Sequence, residues 1–455
     1  MADMLPKFKY VLSTFNRIFG LDGSLDIHYG VDCSSRVQIE TGAVDYFESK
    51  SPFDPSRVIW KEWRGTRIPF LFDREDRDIL VSRDGCAIIQ FDIIAAAFYF
   101  LSGWQEFVSG KRDSIGRFPY EESLQARLGL IEIPVVNYYF DILRSAIESS
   151  YSMRLSSRTW SGHPFATVLT HDVDKCEKGW REDAFHALRG TRPAEVLRIL
   201  GRRLRGDAWF NFRQILALEQ LYGAHSSFYF LPVRGTRAGL PNADYDVTHA
   251  KFRRVFEDIE KAGSEVGLHA GGGSHTDLSL IRRDLARLPG RIVGGRFHFL
   301  GFDVVRTPEL LAEAGLRYDS TLGFPERFGF RSGLCSPFFL YDVVRDRPTE
   351  VVEIPLILMD TTLQHRQYMN LRPESAFDRI VPVMEEVRKF GGCLTVLWHN
   401  NYFTNHKYHG WRSVFEEILR YSRSAGGALV SGAEALQWHL QELPGRDREA
   451  RGKDH

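Results

Sequence analysis

The hydrophobic pattern of the chain changes near residue 158. From Phe165 onward, short apolar runs alternate with segments whose apolar residues recur every three or four positions. That is the pattern of strands alternating with amphipathic helices. The strand-like runs are 166–171, 227–231, 265–269, 292–298, 316–319, 351–359 and 393–398, with a last short one at 428–430. Helical periodicity falls between them, at 212–222, 250–261, 308–314, 376–389 and 411–424. Gly223, Gly263, Gly315 and Gly391 follow four of these helices, where a left-handed cap returns the chain to the next strand. Such alternation specifies a parallel sheet with helical crossovers. Seven or eight units suggest a barrel, with a doubly wound open sheet as the competing arrangement.

Residues 1–158 read differently, as a smaller α+β domain of mixed strands, turns and helices. Segments 68–72 and 78–81 are strand pieces, the first at an edge because it contains Pro69. Segment 92–108 is apolar almost all round, as a buried helix is. Segment 8–19 is amphipathic and is expected to pack on its own domain. Segment 152–164 is polar and turn-rich, a linker to the second domain, 159–443. The tail 444–455 is charged and lacks apolar periodicity, as disordered chain does.

Composition narrows the function classes. Of 455 residues, 59 are Lys or Arg and 59 are Asp or Glu. That balance implies no general polyanion partner, so nucleic acid is not expected. The basic stretch 189–205 is a local exception and reads as a solvated helix face. The longest apolar segment, 93–101, is far too short to span a bilayer. Residues 1–20 lack the apolar core of a secretory signal. Five cysteines, Cys33, Cys86, Cys176, Cys335 and Cys393, are scattered and form no Cys-x-x-Cys pair. Neither a disulfide framework nor a thiolate zinc cluster is expected, and reduced thiols point to the cytoplasm.

The candidate chemistry sits where the strands end. In a barrel of this kind, side chains at the C-terminal ends of strands line one mouth. Here those ends carry Asp172 and Asp174, His269 with His275 close behind, Arg296 and His298, Asp319, Asp360 and His399. Acids, histidines and an arginine at one rim are the inventory of a metal hydrolase. Asp172 and Asp174 stand two apart on an extended strand end, so both point the same way. Two such carboxylates repel unless a cation lies between them or one holds a proton. The bland reading is helix capping, which needs only one Asp. His298 shares its face with Arg296 and reads as a core or supporting residue, and Asp360 receives no role.

These pieces resemble the polysaccharide deacetylases of carbohydrate esterase family four. Leu-Thr-His-Asp-Val-Asp (169–174) is similar to the family's first motif in an Asp-x-Asp variant. Glu-Val-Gly-Leu-His (265–269) resembles the second, Arg296 in Gly-Gly-Arg-Phe-His-Phe the third, and Leu-Trp-His (397–399) the fifth. Tyr-Asp-Ser-Thr-Leu-Gly (318–323) and Gly-Phe-Arg-Ser-Gly (329–333) resemble the segment lining the substrate side. Ser-Ser-Phe-Tyr-Phe (226–230) matches the family's second strand. The ordered set spans about residues 165–435. His28-Tyr29-Gly30, segment 92–106 and Gly116-Arg117-Phe118 resemble an uncharacterised domain that precedes such barrels in some bacterial proteins; that likeness implies pairing and no activity.

The resemblance implies a distorted (β/α)7–8 barrel and an acyl-saccharide hydrolase. It implies a divalent metal, zinc by preference, on Asp174 and histidine, with Asp172 as general base and His399 as general acid. Arg296 would orient Asp172, and Asp319 would position Arg296 or His399. Arg331 and the aromatic faces of Trp398 and Phe299 would meet the sugar. One departure matters. The family's second motif is His-x-x-x-His, whereas His269 is followed by Ala-Gly-Gly-Gly-Ser-His, so Gly273 takes the expected place and His275 lies six residues on. Either the glycine loop folds back and delivers His275 as third ligand, or the site is one ligand short. A non-sugar amide hydrolase and a silent carbohydrate-binding scaffold are the competing functions.

Overall fold

The computed structural model describes residues 4–30, 35–43, 45–83, 85–203 and 206–441. Cys33 and the tail 444–455 lie outside the described residues.

The second half of the chain builds one ten-stranded sheet. Its strands are β1 (Ala166–Val173), β2 (Ser227–Phe230), β3 (Glu265–Ala270), β4 (Gly294–Phe297), β5 (Tyr318–Asp319), β6 (Phe338–Asp342), β7 (Arg347–Glu353), β8 (Leu358–Met359), β9 (Cys393–Leu397) and β10 (Ala428–Val430). The order is β6-β7-β5-β4-β3-β2-β1-β9-β8, with β10 also pairing β1. Every pairing is parallel except β6 with β7. The sheet curls as part of a barrel, and among the described residues no hydrogen-bonded pair joins β8 to β6. All eight residues of β1 are buried, as a central strand covered on both faces requires.

Two sequence expectations change here. The run 351–359 divides into β7 and β8 around the non-strand residues Ile354 to Ile357. The antiparallel β6 has no counterpart among the expected runs. It forms one edge of the sheet and, among the described residues, is paired only with β7.

In the first half, a four-stranded sheet runs Ile27–Tyr29, Val37–Ile39, Cys86–Ile89, Leu80–Arg83. A separate hairpin pairs Ile59–Trp63 with Thr66–Phe70, the strand that holds Pro69. The apolar segment 92–108 forms two helices, Ile93–Leu101 and Trp104–Ser109, because Gly103 adopts φ 66°. A Cβ on Gly103 would stand 3.0 Å from Val304 of the second half, so the break is also a close packing point. The helix Met4–Phe19 buries Tyr10, Val11, Phe15 and Ile18 within the protein. No helix among the described residues is long and apolar enough to cross a membrane.

The halves share one apolar core. Phe98 meets Tyr341 edge-on at 4.9 Å, and Tyr10 donates to the Phe339 carbonyl at 2.7 Å. Trp160, in the segment expected to be a polar linker, is buried and stacks on Trp438 at 4.0 Å. Glu106 and Arg331 form a buried bidentate ion pair, with contacts of 2.8–3.0 Å. Glu106→Gln leaves that guanidinium without its counter-charge. Denaturant unfolding is expected to show a loss of about 3–5 kcal/mol, whereas an exposed pair such as Arg388–Glu385 would move the midpoint by under about 1 kcal/mol.

Candidate metal centre

Three strand ends and one turn bring the polar residues together. Asp172 and Asp174 leave β1, His269 sits near the end of β3, and Arg296 lies on β4. β4 stops at Phe297, and the next residues turn sharply. Phe299 and Leu300 both adopt left-handed backbone, φ 60° and 56°, a conformation that non-glycine residues adopt at a cost. His298 stands at the start of that turn, beside β3.

Asp174, His269 and His298 offer ligand atoms that all lie within 4.8 Å of one another. His269 Nε2 is 3.0 Å from His298 Nδ1 and 3.3 Å from Asp174 Oδ1, and His298 Nδ1 is 3.5 Å from that oxygen. The other ring nitrogens are fixed by backbone. His269 Nδ1 contacts the Arg296 carbonyl at 3.0 Å, and His298 Nε2 contacts the Pro241 carbonyl at 3.0 Å. A carbonyl oxygen only accepts, so both nitrogens donate. In the neutral rings, His269 Nε2 and His298 Nδ1 therefore carry lone pairs that face each other.

That arrangement needs a cation. A proton on His269 would satisfy the His298 nitrogen, and the Asp172 and Asp174 carboxylates outweigh burial to hold the His269 pKa above its ordinary value. A proton leaves Asp174 Oδ1 buried without a hydrogen-bond partner. A metal satisfies all three atoms at once. Ligands about 2.0–2.1 Å from a tetrahedral ion stand roughly 3.3 Å apart, and the three separations here bracket that value. Burial would raise Asp174, but the imidazoles of His298, His269 and His399 outweigh it and hold the carboxyl well below the usual range. Burial lowers His298 to about 4, so its nitrogen is unprotonated at neutral pH. The supporting carbonyls orient both imidazoles, as supporting groups around metal ligands do.

Asp172 and His399 flank this point. Arg296, 1% exposed, donates from Nη1 to Asp172 Oδ1 at 2.8 Å and to Thr170 Oγ1 at 3.0 Å. It also donates to the Ser320 carbonyl at 2.6 Å and to Ser320 Oγ at 2.9 Å. With Oδ1 so occupied, Asp172 Oδ2 is left toward the cluster, 3.6 Å from His269 Nε2. On the other side, His399 Nδ1 lies 2.8 Å from Asp360 Oδ1, and its backbone N–H donates to Oδ2. Its Nε2 stands 3.7 Å from Asp174 Oδ2. Burial disfavours the charged ring, but Asp360, with help from Asp174 and Asp172, pushes its pKa up to about 10.

Asp172, Asp174, His269, His298 and His399 open onto a cleft of about 250 Å³. Phe299, Leu300, Met359, His365 and Tyr368 form its less polar walls, and Arg117 reaches it from the first half of the chain. Arg117 donates to Asp113 at 2.8 Å and to the carbonyl of Phe299 at 2.9 Å, so it braces the left-handed turn beside His298.

Four sequence expectations are placed elsewhere. His275 is outside the cluster. Its ring lies against Gly301, where a Cβ would be 2.8 Å from Nδ1, and its carbonyl accepts from Thr307. The glycines instead let the loop press onto the pair of short strands Thr236–Arg237 and Leu240–Pro241. A Cβ on Gly271 would meet Arg237 at 2.5 Å, and the Gly271 and Gly272 N–H groups donate to Asp284 and Asn242 at 3.0 Å. Trp398 is fully buried against Phe415 and Trp411, away from the cleft. Arg331 is held by Glu106, and the cleft lacks it. Asp319 bonds neither Arg296 nor His399; it accepts from Thr321, which in turn receives the Phe297 N–H. Burial pushes Asp319 up to about 6, beside Glu353. His298 and Asp360 take the places that the sequence reading left open.

No curated protein matches the chain. Among solved structures, it resembles an inferred polysaccharide deacetylase from Mycobacterium smegmatis at 19% identity and TM-score 0.40, over 61% of this chain and 90% of that one. It resembles PuuE allantoinase at 13% and 0.38, over 61% and 92%. A mutant of the peptidoglycan deacetylase PdaC from Bacillus subtilis shows 14% and 0.28, over 60% and 92%. At such identities and scores, the chemistry has to be read from the residues themselves. Residues 3–152 match a family of unknown function, DUF7033, which leaves the candidate metal centre in the part of the chain beyond that match.

Proposed function

We propose that the chain is a metal-dependent hydrolase that removes an acyl group, acetyl by preference, from an amino sugar or another saccharide. The observation that carries this reading is the convergence of Asp174 Oδ1, His269 Nε2 and His298 Nδ1, with Asp172 on one flank and His399 on the other. Those three residues would hold the ion, and two imidazoles with one carboxylate suit zinc. When bound, a divalent metal supplies a Lewis acid for the acyl carbonyl and acidifies attacking water. Asp172 accepts the water proton at Oδ2, while Arg296 holds Oδ1. His399 delivers a proton from Nε2 to the leaving amine or alkoxide, and Asp360, which accepts from Nδ1, favours the imidazolium in which Nε2 also carries a proton. The cleft is smaller than the roughly 300–1,000 Å³ pockets that enclose drug-sized ligands. It suits a single sugar residue entering acyl group first. Free Cys86, Cys176, Cys335 and Cys393 fit a reducing, cytoplasmic setting.

Acetate release from N- and O-acetylated oligosaccharides tests the proposal. Release that stops on chelation and returns with zinc is expected. Silence on every acylated saccharide, from protein that binds zinc, would contradict it. The acid assignment has its own signature. His399 acts while protonated, so activity falls as pH rises through its pKa, which Asp360 raises. Asp360→Asn removes that charge and should move the alkaline limb of the kcat profile to lower pH; an unmoved limb would remove His399 from the acid role.

A further inference from the structure

We infer that the helical hairpin following β1 is a docking surface for an anionic lipid bilayer. The hairpin comprises α1 (Gly179–Arg189) and α2 (Pro193–Arg203), which pack on each other. Together they bury only Gly179, Asp183, Ala187 and Ile199. Their outer faces show Phe185 at 59% exposure, Leu188 at 64%, Leu197 at 71% and Leu200 at 41%. Four of the nine exposed large hydrophobic side chains among the described residues thus fall within these two helices and their turn. A soluble surface tolerates such residues singly; a group of them on one projecting element marks a contact surface.

The charges choose the occupant. The hairpin carries Arg181, Arg189, Arg192, Arg198, Arg202 and Arg203 against Glu182, Asp183 and Glu195. The acids are engaged with the body of the protein. Glu182 pairs with Lys175 and Lys407, Asp183 accepts from the Trp209 indole, and Glu195 contacts His406 at 2.6 Å. Among the described residues, only Arg198 of the six arginines has a carboxylate partner, Glu195. Arg189 lies over Phe185 at 5.1 Å, and Arg181 and Arg203 lie over Trp180 at 5.3 Å and 4.3 Å. Exposed leucines and phenylalanine interleaved with guanidinium groups are what an interfacial element presents to anionic headgroups. The rest of the chain does not share this excess: the whole chain sums to zero, so the remainder is net negative.

The place in the fold is also informative. α1 begins five residues after Asp174, and the ties to His406 and Lys407 reach the segment that follows His399. A docked hairpin holds the rim of the cleft close to the bilayer. Docking goes beyond the hydrolytic proposal and is measured without substrate, so either can fail alone.

The test is sedimentation of the full chain with vesicles of phosphatidylcholine, alone or mixed with phosphatidylglycerol, at about 0.1 M salt. Wild type should pellet with the mixed vesicles and bind phosphatidylcholine at least about tenfold more weakly, since each basic side chain near an anionic surface adds roughly fivefold. Two double variants, Phe185→Glu with Leu197→Glu and Arg192→Glu with Arg202→Glu, should each lose about tenfold or more while melting as wild type does. Wild type left in the supernatant with mixed vesicles overturns the inference, as do variants that pellet equally. A wild-type dimer that the variants convert to monomer, without vesicle binding, overturns it in favour of a second copy on this face.

Discussion

Asp172→Asn is expected to lower kcat for deacylation by about 10²–10⁴-fold, the range that a positioned general base contributes, with the metal still bound. The geometry separates the two acids at the end of β1. Asp174 Oδ1 points at both imidazoles, at 3.3 and 3.5 Å, and is the proposed ligand. Asp172 gives Oδ1 to Arg296 at 2.8 Å, which leaves Oδ2 for a proton. Asparagine keeps the size of the side chain and its bond to Arg296 but cannot take that proton. The substitution also removes the counter-charge of a buried guanidinium, at a cost of about 3–5 kcal/mol. Rates must therefore be compared per folded molecule, with KM and metal content measured beside kcat. Equal acetate release by the variant and wild type would remove Asp172 from the base role.

The fold was largely legible because buried parallel strands and amphipathic helices leave different periods. Runs such as 166–171, 227–231 and 393–398 coincide with β1, β2 and β9 within two residues. What periodicity could not show was pairing. β6 is apolar like its neighbours, and only the register with β7 reveals it as an antiparallel edge. Gly103 breaks a helix that hydrophobicity alone would continue, because a residue distant in sequence, Val304, packs at its Cα.

The site was legible wherever a residue sits on the strand end itself. Asp172, Asp174, His269, Arg296 and His399 meet at one cleft or its wall because strand alternation points them there. The same alternation should have turned Trp398 away, since neighbours on a strand face opposite sides. Arg331 was misplaced because its partner, Glu106, comes from the other half of the chain. The proposed third ligand was hidden for a different reason. His298 follows the last residue of β4, next to the left-handed pair Phe299 and Leu300 that Arg117 braces, and its Nδ1 stands 3.0 Å from His269 Nε2. No local pattern announces two consecutive left-handed non-glycine residues. The glycine loop before His275 looked like a device for folding back, whereas it seats Pro241, whose carbonyl orients His298.

Metal content therefore tests the central claim most directly. His298 supplies the nitrogen closest to His269 Nε2, at 3.0 Å, and removing it leaves one imidazole and one carboxylate. Loss of supporting groups alone weakens metal sites by about 10–100-fold, so loss of a ligand should exceed that. Zinc should be counted in wild type, His298→Ala and His275→Ala after dialysis, with affinities from chelator competition. The expected result is one zinc per chain in wild type and in His275→Ala, and affinity lowered more than about 100-fold in His298→Ala. Zinc kept by His298→Ala and lost by His275→Ala would contradict the site described here.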